Sequence, residues 1–110
     1  MEVGVLYNGV PPGLTSDAIQ FETPVSGGTV QVLPNTMALL LNPAGALAAL
    51  TIVMPTSPTD GQRCLIASSA SITLLSITGA TIKGTLASMA LNGYARFLYS
   101  VAGNCWFRTG

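Results

Sequence analysis

Apolar residues come in short bursts along this chain, and each burst ends on turn-forming residues. The clearest case runs from Leu50 to Arg63, LTIVMPTSPTDGQR. Leu50, Thr51, Ile52 and Val53 are mostly β-branched, a composition suited to a pleated surface. Pro55 ends this run because it has no N–H to give to a sheet ladder. Thr56 to Gly61 is a turn cluster, and Asp60-Gly61 supplies a glycine where positive φ is needed. Gln62 and Arg63 then open a second apolar run, Cys64 to Ala67. The local reading is strand, turn, strand, most simply a β-hairpin.

The same grammar extends in both directions. Met37 to Leu41, the turn Asn42-Pro43-Ala44-Gly45 and Ala46 to Met54 read as strand, turn, strand, with Pro43 and Gly45 placed for a type I turn. A short helix competes there, since Ala46, Leu47, Ala48, Ala49 and Leu50 are good helix formers. Ser71 to Ile77 begins by alternating, with Ile72 and Leu74 on one face, and Thr78-Gly79 turns it. Thr81 to Gly84 is a short strand with a break. Ser88 to Leu91 leads into Asn92-Gly93, a strong hairpin signal, with Gly93 expected at positive φ like Gly61. Tyr94 to Val101 alternates cleanly: Ala95, Phe97 and Tyr99 on one face, Tyr94, Arg96 and Leu98 on the other. After the turn Ala102-Gly103-Asn104, Cys105 to Arg108 closes the chain, with Trp106 and Arg108 on one face and Phe107 on the other.

Upstream, Val3 to Tyr7, Ala18 to Glu22 and Thr29 to Leu33 read as short strands. Asn8-Gly9, Pro11-Pro12-Gly13 and Ser26-Gly27-Gly28 separate them. The total is about ten strands at roughly 8–12-residue spacing, which predicts a β-sandwich or barrel. One domain covers residues 1–110, with 1–35 a looser N-terminal arm or edge region.

Charge changes this picture most. Only 7% of residues are charged, and Glu2, Asp17, Glu22 and Asp60 cancel Arg63, Lys83, Arg96 and Arg108. A typical chain carries roughly 25%. A monomer of this mass exposes roughly 5,700 Å² by the surface-area scaling law. Eight charges are few for such a surface, so much of it is expected to pack against copies of the chain or a larger assembly. The alternative is a surface kept wet by Ser and Thr hydroxyls. The neutral balance does not support capture of nucleic acid. Met37 to Met54 is largely apolar, but Asn42, Pro43 and Gly45 interrupt it and no Lys or Arg precedes Arg63, so no membrane span is expected. The N-terminus has no basic region ahead of its apolar residues, so no signal peptide is expected.

The usual catalytic constellations are missing their parts. There is no histidine to serve as base for a Ser or Cys nucleophile. Two cysteines and four carboxylates match no metal-ligand spacing, and Ser26-Gly27-Gly28 lacks the lysine and helix of a phosphate loop. Asp17 and Glu22 are close in sequence, a weak hint of paired carboxylates. Asp60 is more simply a turn former. Arg63, Arg96 and Arg108 are candidates for contact with Trp106 or Asp60. Cys64 and Cys105 read as two small buried hydrophobes, and a bridge requires that their strands be neighbours. The expectation is a protein with no catalytic residues, no cofactor and no metal.

The ordered set LTIVMPTSPTDGQRCLIAS, ITLLSITG, TIKG and LNGYARFLYSVAGNCWFRTG, covering Leu50 to Gly110, resembles a β module of tailed-bacteriophage virion proteins. Such modules occur in capsid decoration (cement) proteins, head fibres and tail fibres. The resemblance implies an all-β homotrimer, sandwich or jelly-roll-like, with a structural role. A short chain that starts on Met and lacks shaft repeats fits a decoration protein better than a whole fibre. The expected partners are then its own copies and the major capsid protein, on the capsid exterior, after assembly in the host cytoplasm. The alternative is a fibre-tip domain that binds a host-surface receptor through exposed aromatics such as Tyr94, Tyr99 or Trp106. Val3, Val5, Leu6 and Tyr7 are the candidate contact with capsid or neighbour, as an edge strand. Asp60, Gly61, Asn92 and Gly93 are the candidate structural turns.

Overall fold

A computed structural model describes residues 18–110, and Val3, Val5, Leu6 and Tyr7 lie outside that range. The strands are β1 (Ala18–Glu22), β2 (Gly28–Gln31), β3 (Thr36–Leu41), β4 (Leu47–Val53), β5 (Arg63–Ser68), β6 (Ile72–Thr78), β7 (Ile82–Lys83), β8 (Tyr94–Ser100) and β9 (Cys105–Arg108). The described residues contain no helix, and the all-β expectation holds for them.

Successive strands alternate between two sheets. β1, β3 and β5 are neighbours in one sheet, and β2, β4 and β6 form the other, with every one of these pairings parallel. Parallel neighbours need a crossover between them, and here the crossover is the strand in the opposite sheet. The result is a β-solenoid whose coils are β1–β2, β3–β4 and β5–β6. The chain then changes habit. β8 pairs antiparallel with β5, β9 antiparallel with β8, and β7 parallel with β9, giving the order β1-β3-β5-β8-β9-β7.

This winding corrects two local readings. β4 and β5 are not a hairpin: they belong to different sheets, and Pro55, fully buried, sits in the corner between them. Nor is the wiring that of a jelly roll, whose strands run antiparallel. Two sheets still enclose one core, which draws Val30, Ile52 and Leu75 from one and Leu39, Ile66 and Phe97 from the other. Each such side chain removed from water contributes roughly 1.5–3 kcal/mol.

The helix that competes for Ala46 to Leu50 does not form. Leu47 and Leu50 are both buried, three residues apart, which is a helical spacing. β4 achieves it by stepping its alternation at Ala48 and Ala49, and β6 steps in register, burying Ile72 and Leu75 opposite them. Gly61 has φ +81° as expected. At the second turn the positive φ falls on Asn92, at 58°, and not on Gly93. Gly93 is required for a different reason: a Cβ there would lie 2.8 Å from the Ala90 carbonyl oxygen.

Candidate functional site

The two sheets differ in what they show to solvent. On the outside of the three-stranded sheet, Thr29, Thr51 and Ser76 stand in one row, and Gln31, Val53 and Thr78 in the next. That face is mostly hydroxyl and amide, although the adjoining pair Ala49 and Leu74 adds one large exposed hydrophobe, Leu74. On the outside of the six-stranded sheet, Phe21, Leu40, Ala67 and Tyr94 form one row across β1, β3, β5 and β8. Ile19, Ala38, Leu65 and Arg96 form the next. Leu98 and Phe107 extend the apolar surface toward β9. Ile19 is 65% exposed, Phe21 60% and Tyr94 56%. Isolated exposed apolar side chains are normal, but contiguous rows of them mark contact surfaces.

A groove of about 490 Å³ runs along this face, between Phe21 and Tyr94 and over Leu40, Leu65 and Ala67. Asn42, Ser69 and Asn92 close one end, where the Ser69 hydroxyl donates to Asn42 Oδ1 at 2.7 Å. Arg96 flanks the groove with its guanidinium 5.1 Å from the Tyr94 ring centroid. This cation–π contact is to Tyr94 and not to Trp106. Trp106 is fully buried, so it is no surface aromatic, and it packs 5.2 Å from the half-buried Tyr99 ring.

Asp60 does more than form its turn. Its Oδ1 accepts from the Val101 N–H at 2.9 Å, and Gly61 N–H donates to the Tyr99 carbonyl at 2.9 Å. The loop after β4 is thereby stitched to the β8–β9 turn. Asp17 lies outside the described residues, and Glu22 accepts from Gln20 Nε2 at 2.9 Å. Among the described residues no three His, Cys, Asp or Glu side chains come together. Cys64 and Cys105 are both buried and unpaired. Their strands are not neighbours, because β8 lies between them: Cys64 faces Phe97 and Cys105 faces Ser100. Burial pushes the Cys64 thiol up to about 11.

Alternation along β8 puts Tyr94, Arg96 and Leu98 on one face, but no local signal in the sequence joins Phe21, Leu40 and Ala67 to them. That row exists only because β1, β3, β5 and β8 are neighbours, and its end members Phe21 and Tyr94 are 73 positions apart along the chain. No protein-family model and no curated protein matches the chain.

Proposed function

We propose that this chain is a structural β module of a tailed-phage virion, which docks on the outer shell as a decoration protein and holds neighbouring shell subunits together. The observation that carries the reading is the contrast between the two outer faces. One sheet presents mainly hydroxyls and amides, with Leu74 its one large exposed hydrophobe, and the other presents Phe21, Leu40, Leu65 and Ala67 around a groove. A chain with 7% charged residues has little else with which to hold a partner. The likeness of Leu50 to Gly110 to virion modules adds the class of partner and the expectation of a homotrimer. Burial of the apolar face supplies the driving force, and it is non-directional enough to suit a repeated lattice.

Two measurements test this. Purified phage capsids should bind the protein and host cells should not, and light scattering should return a trimer. Binding to cells alone would favour a second reading, a receptor-binding tip. The exposed Tyr94 ring with Arg96 against it, next to Asn42 and Asn92, is the feature that favours that reading, since such a group stacks on a sugar ring and hydrogen-bonds its hydroxyls.

A further inference from the structure

The loops that follow β4, β6 and β8 enclose an open cavity of about 470 Å³. Small-ligand sites span roughly 300–1,000 Å³. The cavity lies apart from the apolar groove, and no residue lines both. Among the described residues no charged side chain lines it. Its wall is hydroxyl, amide and one aromatic ring: Thr56 and Ser57 from the first loop, Thr81 from the second, Tyr99 from β8 and Asn104 from the turn after it.

These groups are fixed before any ligand arrives. Gly61 N–H donates to the Tyr99 carbonyl and Tyr99 N–H to the Gln62 carbonyl, both at 2.9 Å, which ties the first loop to β8. Pro55 and Pro58 restrict φ within that loop. The Tyr99 ring packs on the fully buried Trp106, with 5.2 Å between centroids, and its hydroxyl donates to Asn104 Oδ1 at 3.1 Å. That bond occupies the Asn104 carbonyl oxygen and leaves its Nδ2 group to donate elsewhere. Four non-glycine residues have positive φ among the described residues, and two of them, Ser57 at 50° and Asn104 at 51°, line this cavity. Such conformations cluster at ligand clamps. Groups held in this way lose little freedom on binding, which favours affinity.

The lining selects its ligand. An anion finds no cation in the wall, and a cation finds no acid. A purely apolar ligand would take the hydroxyls out of water without giving them partners. A pyranose ring meets both demands, since its C–H face packs on an aromatic ring and its hydroxyls donate and accept with Ser, Thr and Asn. We infer that this cavity binds an uncharged saccharide, with Tyr99 against the sugar ring and Thr56, Ser57, Thr81 and Asn104 as its hydrogen-bonding rim. The site is separate from Tyr94 and Arg96, and it does not depend on what the apolar face docks against.

The test is titration of the isotope-labelled full chain with maltose, lactose, mannobiose and chitobiose, one at a time, read from amide shifts. At least one should bind saturably and move Ser57, Thr81 and Asn104 while Leu40, Leu65 and Ala67 stay in place. Asn104→Gly and Ser57→Gly keep the left-handed backbone and remove one polar group each. Each should weaken binding by about 3- to 10-fold. Sialyllactose should bind no more tightly than lactose. Four results would each overturn the inference: no saturable shift with any of the four sugars, shifts confined to Asn42, Asn92, Tyr94 and Arg96, undiminished affinity in both glycine variants, or tighter binding of sialyllactose. Capsid occupancy should be the same for Asn104→Gly as for the native chain, so loss of sugar binding and loss of docking are told apart.

Discussion

Gln20 stands in register with Leu39 in the inward row of the six-stranded sheet, at the end of the solenoid. Ile66 and Ala95 continue that row, and all of these side chains are buried. Gln20 is the polar member because it closes the core. Its Oε1 accepts from the Leu33 N–H at 2.9 Å and from the Thr36 hydroxyl at 3.2 Å, and its Nε2 donates to the Gln31 carbonyl at 2.9 Å. One amide thus serves the corner that carries the chain from β2 to β3. Gln20→Leu keeps the volume but leaves the Leu33 N–H and Gln31 C=O without partners. Urea unfolding should show a loss of about 1–3 kcal/mol, larger than for Gln31→Leu on the exposed face.

Gly79 is the least replaceable glycine of the turns. It has φ +86°, and a Cβ there would meet Val53 Cγ1 at 2.8 Å and Met54 N at 3.1 Å. Gly79→Ala should destabilise by more than the roughly 1 kcal/mol of the left-handed backbone alone. Gly45→Ala, where a Cβ meets nothing within 4 Å, should be close to neutral. Thermal melts of the two variants make the comparison.

Strand positions were legible in the sequence because alternation and turn residues are local signals. Tyr94 to Ser100 and Arg63 to Ser68 fall where the pattern puts them. Sheet membership was not legible. The connection from Met54 to Gln62 has the length and turn chemistry of a hairpin loop, yet it crosses from one sheet to the other. Nothing local distinguishes the two outcomes, since the choice depends on which strand β5 meets and that is β3, across the intervening β4. The apolar face inherits the same difficulty, because its rows are assembled from strands distant in sequence. The turn at Asn92 and Gly93 was visible as a turn, but the pattern does not say which of its residues takes the left-handed conformation.

Cys64 makes stability depend on pH. Its thiol ordinarily titrates at 9.0, and burial raises it to about 11 in the folded chain. The folded state therefore holds a proton that the unfolded state has released between those values. Stability is fully present below pH 9 and falls as pH rises toward 11. The slope should be at most about 1.4 kcal/mol per pH unit. Urea titrations should show it in the native chain and a shallower decline in Cys64→Ala. Reductant should leave both melts unchanged, because the thiols are unpaired.

Binding to a shell through apolar rows should be little affected by salt. Charged contacts weaken once the Debye length falls to about 3 Å at 1 M. Capsid occupancy should persist at that ionic strength, and release by salt would indicate an interface held by Arg63 and Arg96 instead.

The most direct test of the docking face is capsid occupancy measured for single charge insertions on each sheet. Phe21→Glu and Tyr94→Glu place an acid in the exposed apolar row, and Thr29→Glu and Ser76→Glu place one on the hydroxyl face. Removing one such aromatic contact of about 1.5–3 kcal/mol corresponds to roughly a 10- to 100-fold loss of affinity. The account predicts that loss for Phe21→Glu and Tyr94→Glu, with native-like melting, and undiminished occupancy for Thr29→Glu and Ser76→Glu. Full occupancy by Phe21→Glu and Tyr94→Glu, or loss confined to Thr29→Glu and Ser76→Glu, would contradict it.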